Sequence, residues 1–332
     1  MEKTILVTGG SGFIGSNFIK YLLTDREVEK DLVIINLDKN TYAGSGKNIG
    51  HMGISSDPRY SFIKGDISDK EFVMKTVSEI KPDLIFNFAA ESHVDRSIDS
   101  PENFFKTNII GATNLFEAVK ELNIKKMIQI STDEVYGSAD KESFDEHSRI
   151  HPTNIYSSTK AAADLIGLAY FITHQLPIII TRSSNNYGPY QFPEKILPLF
   201  ITNLILNKKV PLMHTKDNPG LNVRDWLHVK DNCRAIWFIA HNGKVGEIYN
   251  IPGKNEKTNI EITKILLEMF NFGEEMIDKI AHRKAHDFKY SIKGDKLEKL
   301  GFQHKYDDLE KGISETVRWY KENKDWWTPL KK

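Results

Sequence analysis

The sequence carries a single cysteine, Cys233, in 332 residues. One thiol excludes an internal disulfide and any metal centre built on several cysteines. It fits a reducing compartment, and the cytoplasm is the expected setting. Net charge is also missing, because Lys plus Arg and Asp plus Glu are both 45. A balanced chain has no overall pull towards nucleic acid or anionic membrane, and neither is expected as a partner. No apolar run approaches the roughly 20 residues that cross a bilayer. The opening Met1–Val7 runs into a strand pattern without the layout of a signal peptide. With 40% hydrophobic and 27% charged residues, the composition is that of an ordinary globular protein. Internal repeats and low-complexity segments are absent too, and no metal is expected.

What is present is an alternation. Short apolar runs at 4–7, 32–37, 84–88, 126–130 and 178–181 read as strands. Segments with helical spacing lie between them, at 13–23, 71–80 and 103–121. Strands that are apolar throughout, alternating with helices, predict a Rossmann-type α/β fold, a doubly wound parallel sheet covered on both faces. After residue 182 the pattern loosens. Segments 185–193 and 215–222 are rich in Asn, Gly and Pro and read as loops. Segment 231–240 reads as a helix and 247–250 as one more strand. The expected division is a cofactor domain of 1–181 with 225–250, and a smaller mixed α/β substrate domain of 182–224 with 251–332.

The stretch Thr8–Gly15 follows the first strand and opens a helix. Gly9, Gly10, Gly12 and Gly15 satisfy both G-x-G-x-x-G and G-x-x-G-x-x-G. Glycine permits the tight turn and lets backbone approach a pyrophosphate, while the helix N-terminus offers free N–H groups. Asp38 ends the second strand where an acid would bind ribose hydroxyls. A carboxylate there repels a 2′-phosphate, so NAD is the expected cofactor rather than NADP. Asp66 and Ile67, after a short strand at 60–63, would reach the adenine. Ala89, Ala90 and Ser92 end the fourth strand at the sheet edge where such folds bind ligands. Simple packing would equally explain small residues there.

Tyr156 and Lys160 stand four apart and share a helix face. A phenol with a pKa near 10 is a poor base at neutral pH, and a neighbouring lysine together with the positive nicotinamide would favour the phenolate. Thr132, Asp133 and Glu134 follow the strand at 126–130. Adjacent acids suit general acid and base work in an enclosed site; they also suit a helix start, where a cap and the helix dipole favour acids. The Tyr-x-x-x-Lys spacing alone is common. Its weight comes from following the glycine motif.

Together, the glycine motif, Phe88–Ser92, Ser131–Gly137 and Tyr156–Lys160 resemble the extended short-chain dehydrogenases that act on nucleotide sugars. The Thr132-Asp133-Glu134 triplet is similar to that of the dTDP-glucose 4,6-dehydratases within them. The likeness continues through Ala89–Ile98, Asn185–Lys195 and Arg224–Leu227. It implies that Tyr156 deprotonates the sugar 4-hydroxyl as C4 gives hydride to the nicotinamide. It further implies that Glu134 removes the C5 proton and Asp133 protonates the departing C6 hydroxyl. Lys160 and Thr132 complete that catalytic set. Phe13, Ile14 and Asn108 join the implied cofactor contacts. The substrate, a nucleotide-diphospho-sugar, would meet Ser92, His93, Asn185, Asn186, Glu194, Lys195, Arg224, Asn259, Arg283 and His286. A homodimer paired through segments 103–121 and 156–174 is implied as well. The chain departs from the family at Met213, where an aromatic residue is usual, in a longer loop at 214–223, and at Phe288 and Lys289, where arginines are usual.

Overall fold

The computed structural model describes residues 3–42, 44, 46–282 and 287–331. The first half alternates strictly. β1 (Lys3–Thr8), α1 (Phe13–Thr24), β2 (Leu32–Asp38), α2 (Lys47–His51), β3 (Tyr60–Lys64), α3 (Lys70–Ile80) and β4 (Leu84–Asn87) come first. Then follow α4 (Val94–Asp99), α5 (Glu102–Phe104), a π-helical segment (Phe105–Gly111), α6 (Ala112–Glu121), β5 (Lys126–Thr132), α7 (Ile155–His174) and β6 (Ile178–Ser183). The second half contains β7 (Asn185–Tyr187), α8 (Ile196–Ile205), β8 (Val210–Met213), β9 (Val223–His228), α9 (Val229–Asn242) and β10 (Ile248–Ile251). It closes with β11 (Glu256–Thr258), α10 (Asn259–Met269), β12 (Ile277–Ile280), α11 (Asp295–Lys299), α12 (Leu309–Glu322) and α13 (Lys324–Trp327).

Seven strands form one sheet in the order β10-β6-β5-β4-β1-β2-β3. Every pairing in it is parallel. The alternation of side chains along a strand divides its two faces. Ile5 and Val7 of β1 join one core with Phe18, Ile19 and Leu22 of α1 and Ile236 and Ile239 of α9. Leu6 between them joins the opposite core with Val73 and Val77 of α3, Leu115 and Phe116 of α6 and Ala163 of α7. This is the Rossmann-type α/β arrangement. The strand order reverses between β1 and β4, and ligands bind in the crevice such a reversal opens.

The remaining strands make two small sheets, β11-β9-β7 and β12-β8. Their core gathers Tyr187, Phe200, Trp226, Leu266, Ile313, Tyr320 and Trp327 from β7, α8, β9, α10, α12 and α13. Two local expectations are corrected here. Segment 185–193 is not all loop, because Asn185–Tyr187 pairs in parallel with Trp226–His228. Three residues of Asn and Tyr carry no strand signature, and the partner strand alone creates it. The segment 103–121 is not one regular helix either, since Phe105–Gly111 is wound as a π-helix.

Candidate active site

Gly9 has φ +70, and a Cβ there would sit 2.4 Å from the Ala89 backbone nitrogen. A Cβ on Gly15 would lie 2.3 Å from the Gly9 carbonyl. The β1 and β4 ends are therefore pressed together through bare backbone. Gly12 caps α1 without any side-chain cap, leaving the helix's first N–H groups to a ligand. Around this turn lies a cavity walled by Gly9, Gly12, Phe13, Ile14, Gly15, Asp38, Asp66, Ile67, Ala89, Ala90, Ser92, Tyr156 and Lys160. An uncapped helix start, backbone kept bare by glycine and an acid at the end of β2 suit a dinucleotide diphosphate and its ribose.

Three expected cofactor residues have other partners. Asp38 accepts hydrogen bonds from the Ser11 N–H (2.9 Å) and the Asn40 N–H (2.7 Å). Burial pushes its carboxyl upward against those two bonds. Asp66 accepts from Ser68 and pairs with Lys39 at 2.7 Å. Asn108 lies behind the cavity wall rather than on it. Its amide takes the Glu91 N–H (2.9 Å) and donates to the Glu91 carbonyl (3.0 Å) and to Thr159 Oγ1 (2.9 Å). It fastens the β4 loop to α7, and both of its N–H groups are spent on protein.

A second cavity adjoins the first. It is walled by His93, Glu134, Asn185, Asn186, Glu194, Lys195, Met213, Arg224, Asn259 and Tyr290, and shares Gln191, Glu194 and Lys195 with the first. The amide oxygens of Asn185, Asn186 and Asn259 are buried without a partner among the described residues. Such groups are costly unless a ligand satisfies them. Arg224 donates to the carbonyls of Val223, Asp287 and Phe288 and stacks over Tyr290 at 4.2 Å. His93 Nε2 and Arg96 approach Glu194 at 3.4 and 3.7 Å, and Lys195 donates to the Ser92 carbonyl at 3.0 Å. Leu199, Phe200, Pro211, Leu212 and Ile280 give this cavity an apolar end. Arg283 and His286 lie outside the described residues.

Tyr156 and Lys160 wall the first cavity and Glu134 walls the second. Thr132 ends β5 and caps the short 3-10 turn Asp133–Tyr136, accepting the Glu134 N–H at 3.3 Å. The capping alternative is thus realised, and Glu134 faces the second cavity as well. Asp133 is enclosed, takes the Thr132 hydroxyl at 3.3 Å, and leaves its second oxygen without a partner among the described residues. Burial, then the charges of Glu134 and Asp225, raise the Asp133 carboxyl well above the usual range. Such a shift favours the protonated form, in which a carboxyl can act as an acid.

Tyr156 departs from expectation in one respect. Burial, then the carboxylate of Glu134, push its phenol far up, with Thr132 opposing. Both neighbouring acids work against the phenolate. A cation laid against Tyr156 is needed to make it a base, and an oxidised nicotinamide is such a cation. Lys160 is enclosed, and its ammonium donates to the Ile130 carbonyl at 2.5 Å. Burial draws Lys160 down to about 8, opposed by Asp164. Residues that sequence reasoning missed include Tyr290, whose hydroxyl reaches Asp287 Oδ2 (2.7 Å) and Glu134 Oε2 (3.4 Å), and Asp164. The only signal for Asp164 was its place four residues after Lys160.

A reversed parallel sheet, a bare glycine turn and a tyrosine–lysine pair beside two acids define a dinucleotide-dependent enzyme of the short-chain dehydrogenase type. The chain belongs to the family described as GDP-mannose 4,6 dehydratase, whose model matches residues 6–316. It is 44% identical over 331 residues to dTDP-glucose 4,6-dehydratase of Streptomyces antibioticus, covering 99% of this chain and 95% of that one. Among solved structures it resembles dTDP-glucose 4,6-dehydratase of Bacillus anthracis in complex with NAD, with TM-score 0.90 and 46% identity, covering 99% and 100% of the two chains. It also resembles the Streptomyces venezuelae enzyme with NAD and dTDP bound, with TM-score 0.93 and 43% identity over 99% and 100%.

Proposed function

We propose that this chain is an NAD-dependent hydro-lyase that converts dTDP-glucose into the 4-keto-6-deoxy sugar nucleotide and water. The observation that carries the reading is the Asp133–Glu134 pair beside Tyr156, with Tyr156 on the first cavity and Glu134 on the second. Oxidation at C4 needs only Tyr156 and Lys160, whereas elimination across C5 and C6 needs an acid and a base. NAD, when bound, supplies an acceptor for the C4 hydride and returns that hydride to C6. Tyr156 takes the 4-hydroxyl proton, and the resulting ketone acidifies C5. Glu134, on the wall of the substrate cavity, removes the C5 proton. Asp133 gives its proton to the C6 oxygen, which leaves as water. Glu134 then returns a proton to C5 as hydride reaches C6. One cycle leaves Tyr156 a proton richer and Asp133 a proton poorer. Thr132 contacts both groups and stands between them.

The family relatives' sugar nucleotide suits the second cavity. Arg224 and Lys195 supply cations for a diphosphate, the three Asn amides supply partners for sugar hydroxyls, and the apolar end supplies a surface for a base. The same reading assigns 1–181 with 225–250 to the cofactor and 182–224 with 251–332 to the sugar nucleotide. It also includes a homodimer, supported by Phe105 (42% exposed) and Ile110 (50%) of the π segment and by Leu165 (54%) and Ile172 (71%) of α7. Among the described residues no helix is long and apolar enough to cross a membrane, and the cytoplasmic setting belongs to this reading. The test is incubation with dTDP-glucose, followed by the alkaline absorbance of a 4-keto product and by its mass. A product that keeps its C6 oxygen would replace this reading with 4-epimerisation.

A further inference from the structure

Tyr156, Lys160 and Asp164 recur every four residues on α7, so their side chains run along one helix face. The proposed reaction uses the first two and leaves Asp164 without a task. Asp164 is fully enclosed, at 0% exposure, and both hydrogen bonds to it end on one oxygen, Oδ2. Ser131 Oγ donates at 2.9 Å and Arg182 Nε at 2.9 Å. Ser131 and Arg182 are register partners on β5 and β6, so the clamp is one rung of the sheet. Arg182 is itself only 1% exposed and lies 4.7 Å over the Tyr136 ring, whose hydroxyl donates to Asn250. Asp164 Oδ1 and Arg182 Nη2 have no partner among the described residues. An enclosed, incompletely bonded ion pair adds little net stability, and apolar residues often replace such pairs without loss. Stability therefore does not account for it.

Its location does. Lys160 is bonded to the carbonyl of Ile130, the residue before Ser131. The charged and titratable groups around this point are Tyr156 and Asp164 on α7, Arg182 on β6, and Asp133 and Glu134 beyond the end of β5. Glu134, then Asp133 and Asp164, raise Tyr156, and Arg182 pairs with Asp164. Asp164 is thus the carboxylate that acts on the Lys160 ammonium, and it opposes the effect of burial. Resting on the functional reading above, we propose that Asp164, clamped by Arg182 and Ser131, is a positioning residue that holds from behind the ammonium charge Lys160 presents to Tyr156. Arg182 keeps its own charge at any working pH and holds Asp164 in place through Oδ2.

Asp164→Asn keeps the shape and removes the charge, leaving Lys160 and Arg182 as two enclosed cations. Lys160 then sheds its proton at lower pH; Tyr156 meanwhile loses the weakest of the three carboxylates that oppose its ionisation, so the lysine midpoint is the deciding readout. The experiment titrates ¹³C-labelled lysine in wild type and variant, with Lys160→Met identifying the resonance. Single-turnover NADH formation with dTDP-glucose is followed against pH beside it. The Lys160 midpoint is expected to fall by about one pH unit or more. NADH formation near neutrality is expected to fall roughly 10-fold to 10²-fold, with its basic limb moved to lower pH. A variant that melts cooperatively, with the Lys160 midpoint and pH profile of wild type, overturns the proposal. If Asp164→Asn does not fold, Ser131→Ala removes one bond to Asp164 and decides: a smaller shift in the same direction supports the proposal, an unchanged midpoint overturns it. If wild type forms neither NADH nor product, the functional reading fails, while the lysine titration still decides the role of Asp164.

Discussion

Between Gly9 and Asp38 the cofactor cavity takes its turn, its helix start and its acid from one continuous stretch, and Ala89–Ser92 closes the opposite wall. The substrate cavity draws Glu134, Asn186, Glu194, Arg224, Asn259 and Tyr290 from separate segments of two lobes. The first is built of backbone, and its side chains matter mostly by being small. The second is built of side chains, and its backbone matters by bringing them together. A diphosphate can be bound by N–H groups that any sequence possesses, so the turn itself carries the specificity. Recognition of a particular sugar nucleotide and the proton transfers upon it need chosen side chains at chosen depths.

That contrast can be broken at the catalytic groups first. Tyr156→Phe is expected to lower NADH formation from dTDP-glucose by roughly 10⁴ in stopped flow, the upper end of the range for acid–base groups. Glu134→Gln and Asp133→Asn are expected to reduce turnover by roughly 10²–10⁴ while still forming NADH in a single turnover. Equal loss of NADH in all three would place both acids before hydride transfer. On the cofactor side, Gly9→Ala combines a positive φ with a Cβ 2.4 Å from Ala89. It is expected to abolish NAD retention and to lower unfolding stability by about 1–3 kcal/mol from strain alone. Calorimetry on NAD-loaded protein checks both, and unchanged retention would mean the β1 and β4 ends can part freely.

The fold is expected to respond to acid through His228. This residue is buried between Tyr187 and Tyr306, and its Nδ1 accepts the Lys230 N–H at 3.2 Å. Burial, then Lys230, lowers it from 6.5 to about 4. The folded pKa lies below the unfolded one, so between those values the unfolded chain binds more protons. Stability is therefore complete above pH 6.5 and falls as pH drops towards 4, by about 3 kcal/mol in all. Denaturant midpoints of His228→Gln against wild type from pH 7 to 4 are expected to show a shallower decline. Parallel declines would assign the slope elsewhere. The smallest effect is expected at Asn186→Ala, which removes one buried amide facing the substrate cavity. KM should rise by about 1 kcal/mol equivalent with kcat nearly unchanged.

The same contrast explains what could be read without coordinates. The glycine turn, the strand before it and the acid after it depend on contacts within a few residues, and the Tyr156–Lys160 spacing depends on one helix. Those features announce themselves locally. Strand β7 exists because β9 lies beside it, and nothing in Asn185–Tyr187 encodes that. The Asp164–Arg182 pair requires knowing that β6 neighbours β5. Asn108 was assigned to the cofactor by resemblance, and only packing shows that its amide is committed to Glu91 and Thr159.

Of the helical stretch 102–121 only Thr107 lines the cofactor cavity among the described residues, yet amides of that stretch hold the walls of the slot. Asn108 in its π-helical segment ties down Glu91, and Asn114 in α6 donates to the Ile67 carbonyl at 2.9 Å. Those two ties grip the loops after β4 and β3, on either side of the cavity. Gly111 between them leaves no room for a Cβ, which would meet Ile67 at 2.6 Å. A π-helical turn holds one residue more than an α-helical turn, so it sets the rotational phase between the two amides. Deleting a single residue from 105–111 would turn one grip away from its loop by about 100°. The gauge of the slot is thus written as a count of residues in a rod whose other side, at Phe105 and Ile110, is the outer surface of the molecule.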